Sequence, residues 1–329
     1  MTFKKRHSIF LLIAVALFLF LLSFYRFYCQ PIDNFLSALK NNSYQDASRV
    51  NFLLLGLDPR DDLLEKTNTT DTIIFASLKF SPPTLSLVSL PRDLWSYPLS
   101  KKINQIYPLS LETSDSFTFI KDNFSQLIDQ TIDHVFIIST QNLIDLVDLI
   151  GGLDVSLDQA FTDSQFPNPD YIKNPSAGLP VYITISFNQG LNHLDSQNVA
   201  YFVRSRHSAP TAEEGGTDIG RSQRQQILLE ALLAKIKSGQ IKPQQIFSLY
   251  RYFNQNIETD FSDQQLFSLA LRLKKKALSL DLKKIVIPTG ENPKTDILYY
   301  PGYLHQGQWV FLPQGKEYSS LQQFISDNL

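Results

Sequence analysis

Residues 50–57, VNFLLLGL, carry no charge and one polar side chain. An apolar run of this length without alternation reads as a strand buried on both faces. Such a strand cannot form one wall of an open sandwich. It requires cover above and below, and therefore helices on both sides of a sheet. The following residues supply the other layers. Residues 71–80, DTIIFASLKF, read as a second strand, Ser81-Pro82-Pro83 as a turn and residues 84–90 as a third strand, making a hairpin. Residues 114–132 read as a helix, with Phe117, Ile120, Phe124, Leu127 and Ile128 at helical spacing. A strand over 134–139 precedes a helix that Thr140 caps and Gly151 stops. Further strands are expected at 153–157 and 181–187, separated by a loop over 158–180. Asp195 caps a helix leading to Arg204 and Arg206, and a long helix spans 218–237. Helices over about 244–254 and 262–278 precede a strand at 284–288. The pattern predicts an α/β fold with a mixed central sheet flanked by helices, and contains no internal repeat.

The N-terminus bears on location. Lys4, Lys5 and Arg6 precede an uncharged run over 9–25, with Phe27 and Tyr28 as flanking aromatics. That approaches the ~20 residues needed to cross a bilayer. Cations on the N-terminal side place the remainder outside the cytoplasm. No small-residue cleavage pattern follows the run, so an uncleaved single-pass anchor is expected over a cleaved signal. The expected organisation is a cytoplasmic tail over 1–8, a transmembrane helix over 9–28 and a stalk over 29–49. A catalytic domain over 50–240 follows, and an extension over 241–329 packs on it. A single cysteine, Cys29, excludes an intramolecular disulfide.

The densest chemistry lies between residues 201 and 226, YFVRSRHSAPTAEEGGTDIGRSQRQQ. Arg204 and Arg206 precede a loop; Asp218, Arg221, Arg224 and Gln225 follow it on a new helix. Arg221 and Gln225 are one turn apart on that helix, with Asp218 one turn upstream. An isolated Asp–Arg pair at a helix start is ordinarily a solvated surface pair. Four arginines without lysine, interleaved with Asp and Gln, point instead to bidentate phosphate binding. The chain as a whole is near neutral, with net charge −2, which argues against nucleic acid as a partner.

A second constellation sits at strand ends. Asp58 follows the first strand, Asp71 opens the second, and Arg92 and Asp93 follow the third. A hairpin sets the start of one strand beside the end of its partner, making Asp71 and Arg92 neighbours. Asp58 joins them if its strand lies alongside the third in parallel. Two carboxylates at one sheet edge need a cation between them, and oxygen ligands suit Mg²⁺. Each Asp alone is also a common turn residue. There is no Cys/His cluster for zinc, no convincing Ser-His-Asp order and no Walker glycine loop.

The order LLLGLD, TTDT, SLPRDL, KIN, LVDLIGGLDV, YFVRSRH and DIGRSQRQQ resembles the LytR–CpsA–Psr family over roughly residues 50–237. The resemblance implies a membrane-anchored extracytoplasmic phosphotransferase. Its members move glycopolymers such as wall teichoic acid from a polyprenyl-pyrophosphate carrier to peptidoglycan. Asp58 and Asp71 are then implied to hold Mg²⁺. Arg92, Lys102, Arg204, Arg206, Arg221 and Gln225 are implied to contact the pyrophosphate, and Asp218 to orient the arginines. Arg224 is a further expected substrate contact. One position departs from the family pattern: Thr69 stands where an arginine precedes the aspartate matched to Asp71, with Lys66 as a substitute if its loop folds back. The segment SAPTAEEGGT also extends the spacing between the Arg-x-Arg motif and Asp218. A polyprenyl-pyrophosphate hydrolase and a non-catalytic polyprenyl-phosphate or wall-binding module remain alternatives.

Overall fold

The computed structural model describes residues 30–57, 68–206, 208–209, 218–274 and 276–329. They fall into two compact units. The smaller comprises the chain up to Ala47 together with Phe261–Ala277. In it, helix α1 (Gln30–Lys40) packs on a later helix, Asp263–Leu273, with the Phe35 ring edge-on to Phe267 at 5.8 Å. The expected anchor over 9–28 lies outside the described residues, among which no helix is long and apolar enough to cross a membrane.

The larger unit, Ser48–Asp260 with Leu278–Leu329, is built on a six-stranded sheet. Its strands are β1 (Arg49–Leu57), β2 (Thr70–Phe80), β3 (Pro83–Ser89), β4 (His134–Ser139), β9 (Glu258–Thr259) and β10 (Asp281–Val286). The spatial order is β9-β4-β1-β2-β3-β10. β1 and β3 each pair antiparallel with β2, while β1–β4 and β3–β10 are parallel. The sheet is therefore mixed, as the alternation predicts. β1 lies on the far side of β2 from β3, so the first and third strands run parallel but do not touch. The condition of a first strand lying alongside the third is therefore not met: β2 separates them, with one edge paired to β1 and the other to β3.

The doubly buried reading of β1 follows from what covers each face. Leu53 and Leu55 join Ile73, Phe75 and Val88 in one core, covered by α2 (Ser116–Ile128) and the C-terminal helix Ser319–Asn328 through Ile120, Phe124, Leu321 and Ile325. The other face meets α3 (Thr140–Leu149), α4 (Val199–Arg204) and the long α5 (Asp218–Lys237). These helices share a second core with two small sheets: β5 (Leu153–Leu157) paired with β8 (Gly190–Leu194), and β6 (Phe161–Pro167) paired with β7 (Tyr182–Phe187). β6 occupies part of the stretch 158–180 expected to be a loop. Its Pro and Asp content masked an alternation that places Phe161 and Asp163 inward. Ser139, not Thr140, caps α3, in a reciprocal capping box with Asn142.

β1, β3, β4 and β10 all run the same way, so their carboxyl ends gather at one edge of the sheet. Ligand crevices in open α/β sheets form outside the carboxyl ends of such strands. At that edge Gly56 lies opposite Thr72, where an added Cβ would come within 2.6 Å of the Thr72 Cβ.

Candidate functional site

The β2–β3 hairpin brings Asp71 and Arg92 together: Arg92 Nη1 donates to Asp71 Oδ1 at 2.6 Å. Two arginines from the far segment converge on the same carboxylate. Arg206 Nη2 donates to Oδ2 at 2.5 Å, and Arg221 Nη1 lies 3.6 Å from that oxygen. Arg221 Nη2 also donates to the Asp71 backbone carbonyl at 2.7 Å. One turn on, Gln225 Nε2 donates to Thr72 Oγ1 at 2.7 Å. Asp93 accepts from Lys102 at 2.7 Å and from Arg92 Nε at 3.3 Å. Arg92, Lys102, Arg206 and Arg221 thus share two carboxylates.

Burial alone would raise the Asp71 carboxyl, but the guanidiniums of Arg92, Arg221 and Arg206 override it and hold it below the usual carboxylate range. A carboxyl so held binds its proton later on acidification than the unfolded chain does, near pH ~3.9. Its contribution to stability is complete above that pH and is lost as pH falls through the lower folded value. The melting-temperature gap between the wild type and Asp71→Asn should therefore be flat from neutrality to about pH 5 and close below about pH 4. A gap unchanged at low pH would contradict the pairing.

Arg204 and Arg206 are positioned by a scaffold that the sequence reading missed. Asp163, 1% exposed on β6, accepts from Ser205 Oγ at 2.8 Å, from the Arg206 amide at 3.1 Å and from the Gln165 amide at 2.9 Å. Arg224, expected to contact substrate, is instead buried at 5% exposure. Its Nε donates to the Phe202 carbonyl at 3.0 Å and its Nη2 to the Ser205 carbonyl, and its guanidinium lies 4.7 Å from the Phe161 ring centroid. It braces the carboxyl end of α4 through those two carbonyls. Burial lowers its pKa to about 10, with Arg221 adding to the drop and Asp163 opposing it. Inward alternation of Phe161 and Asp163 was the available signal for this scaffold.

Asp58 and Lys66 lie outside the described residues, as does the side chain of Asp218, the first residue of α5. Thr69 is half-buried just before β2. Among the described residues no group of three or more His, Cys, Asp or Glu side chains could hold a metal. Asp71 is an ionised oxygen ligand of the kind Mg²⁺ takes, though a metal there must compete with guanidiniums.

Beside the arginines opens an apolar cavity of about 130 Å³. Leu54, Ile74, Ile138, Leu143 and Leu228 line it, with Asp71, Arg204, Arg221 and Gln225 also on its wall. A greasy cleft with cations at one part of its wall suits an amphiphile with a charged head.

The LytR_cpsA_psr family model matches residues 31–323. The chain belongs to the LytR–CpsA–Psr family. The match reaches well beyond the 50–237 segment that carries the motifs, taking in α1 and the strand β10 of the central sheet. Among family relatives, the polyisoprenyl-teichoic acid–peptidoglycan teichoic acid transferase TagU of Oceanobacillus iheyensis is 25% identical over 242 residues, covering 70% of this chain and 64% of that protein. The protein of the same name from Enterococcus faecalis is 24% identical over 284 residues, covering 84% and 78%. A solved structure of TagT bound to LIIa-WTA superposes with a TM-score of 0.56 at 19% identity, covering 86% of this chain and 91% of that one. The match thus spans just under two thirds of the Oceanobacillus relative, and the structural likeness establishes the fold.

Proposed function

We propose that this chain is a membrane-anchored extracytoplasmic phosphotransferase that moves a glycopolymer, of the teichoic acid type, from a polyprenyl-pyrophosphate carrier to peptidoglycan. The convergence of Arg92, Arg206 and Arg221 on Asp71 beside an apolar cavity carries this reading. Family membership and the names of the relatives support it. The uncharged run over 9–25, with cations before it, supports the anchor and the placement outside the cytoplasm.

In this reading the polyprenyl chain enters the apolar cavity and its diphosphate meets the arginines. Arg92, Arg206 and Arg221 hold the non-bridging oxygens and stabilise charge that builds during displacement. Gln225, tied to Thr72, fixes the wall of the cavity beside them. The acceptor hydroxyl bonds to the sugar-side phosphorus and the bridging P–O bond breaks. The hydroxyl proton ends on the released polyprenyl phosphate. Asp71, with Asp58, would hold Mg²⁺, which supplies further neutralisation of phosphate charge when bound. The guanidiniums that hold the Asp71 carboxyl below the usual carboxylate range disfavour it as a strong base.

The deciding assay supplies a polyprenyl-pyrophosphate-linked glycan, labelled in the glycan, with peptidoglycan and Mg²⁺. The expected result is label in the polymer. Label released only to water would instead identify a hydrolase, and binding without turnover a non-catalytic module. Filling the cavity gives an independent check. Leu143→Trp should raise KM for a long-chain donor at least about tenfold, the equivalent of losing about two buried methylenes. It should leave a short-chain donor unaffected. Equal effects on both donors would place the lipid elsewhere.

A further inference from the structure

On the other side of the arginine cluster lies a second cavity, of about 350 Å³, between α5 and the carboxyl ends of β3 and β10. That volume is at the lower end of small-ligand pockets, about 300–1,000 Å³. It adjoins the first site through the chain itself. Pro91 lines it and Arg92 follows; Ser222 lines it and Arg221 precedes. The polar part of its wall consists of hydroxyls and amides, from Ser89, Ser222, Gln223, Gln226 and Thr289, and no charged side chain lines it among the described residues. Gln226 Nε2 donates to Ser89 Oγ at 2.9 Å, holding that edge in place. The apolar part centres on Trp309, which is 40% exposed. Tyr300 stacks on its indole at 5.2 Å and 23°, and Phe311 meets it edge-on at 4.8 Å. Such packing fixes the plane of the ring.

We propose that this cavity is the subsite for a saccharide ring of the acceptor glycan, resting on the transferase reading above. A fixed, part-exposed indole offers a face to the C–H side of a pyranose, and neutral amides and hydroxyls suit its hydroxyl and acetamido groups. A phosphate or a carboxylate has no cationic partner on this wall. In-line displacement then selects acceptor over donor. The attacking hydroxyl and the leaving polyprenyl phosphate occupy opposite apical positions on phosphorus. The apolar cavity takes the leaving group on the β1–β4 side of α5, so the acceptor approaches from the β3–β10 side, where Trp309 lies.

Two tryptophans are present, and Trp95 is 1% exposed, so emission changes on ligand addition report on Trp309. The full chain in detergent is titrated with a soluble oligosaccharide of alternating N-acetylated hexosamines, and separately with a polyprenyl phosphate. The oligosaccharide should give a saturable blue shift, absent in Trp309→Ala. In transfer assays Trp309→Ala should raise acceptor KM at least about tenfold, about 1.4 kcal/mol of binding. Donor KM should be unchanged, the melting temperature retained, and Trp309→Tyr should recover most of the loss. A shift with polyprenyl phosphate instead, or a donor KM that rises in place of the acceptor KM, overturns the assignment. Binding needs no turnover, so the two readings fail separately. A saturable shift without transfer refutes the transferase and leaves the saccharide site. Transfer with no shift and a normal acceptor KM in Trp309→Ala refutes the site alone.

Discussion

If the chain is the transferase proposed, Arg221→Ala should lower glycopolymer transfer by about a thousandfold while the domain stays folded. Removing a single preorganised donor to developing oxyanion charge costs about 10²–10³ in rate, and an arginine serving phosphoryl transfer about 10³–10⁵. Arg221 has the features of such a donor. It is 3% exposed, reaches the Asp71 carbonyl and carboxylate, and lines the apolar cavity. Low exposure raises the worth of its charge, because water does not screen it. Arg221→Lys should recover little: a point charge on a flexible stem cannot donate to the Asp71 carbonyl and to a phosphate oxygen in one fixed fork. Label incorporation, measured beside the melting curve, checks both halves. A folded Arg221→Ala protein that transfers at the wild-type rate removes this residue from the chemistry.

Asp71→Ala should destabilise the larger unit by about 3 kcal/mol, and inorganic pyrophosphate should restore much of that loss. Removing one partner of a largely buried ion pair leaves the other charge uncompensated, at a cost of about 3–5 kcal/mol. Here one carboxylate, 12% exposed at the side chain, serves three guanidiniums. Its loss leaves Arg92, Arg206 and Arg221 facing one another. An anion that occupies the same space relieves their repulsion. It also stabilises in proportion to the logarithm of its concentration over Kd. Thermal melts with and without millimolar pyrophosphate measure the effect. Pyrophosphate should raise the melting temperature of Asp71→Ala more than that of the wild type, since in the wild type Asp71 competes for the same cations. An equal or smaller rise in the variant would mean that the anion binds elsewhere.

The parts of this architecture legible in the sequence were those with a local signal. The uninterrupted run of β1 required cover on both faces, and Leu53 with Leu55 on one side and Leu54 on the other meet it. The Asp71–Arg92 pair follows from hairpin geometry alone, since turn position fixes which strand ends are neighbours. The register of Arg221 and Gln225 follows from helical spacing, and both reach the start of β2. What was hidden depends on tertiary contacts. Nothing local distinguishes Arg224 from Arg221; only the packing of α5 over α4 turns one inward to carbonyls and the other toward Asp71. Asp163 sits in a stretch whose prolines and aspartates mimic a loop, and its role depends on Ser205 and Arg206 about forty residues later in the chain. The position of β1 beside β2 rather than β3 was likewise a choice between pairings that sequence periodicity does not rank.

The central claim is that guanidiniums from three separate segments form one grip for a diphosphate. Calorimetric titration of inorganic pyrophosphate, with Mg²⁺ present, tests it on the full chain in detergent. Arg92→Ala, Arg206→Ala and Arg221→Ala should each weaken binding at least about tenfold, about 1.4 kcal/mol. Replacement of Arg251, exposed on the helix Pro243–Asn256, should leave affinity unchanged. Equal affinity in the wild type and all three variants would show that these side chains do not share a ligand, and the account would fail with them.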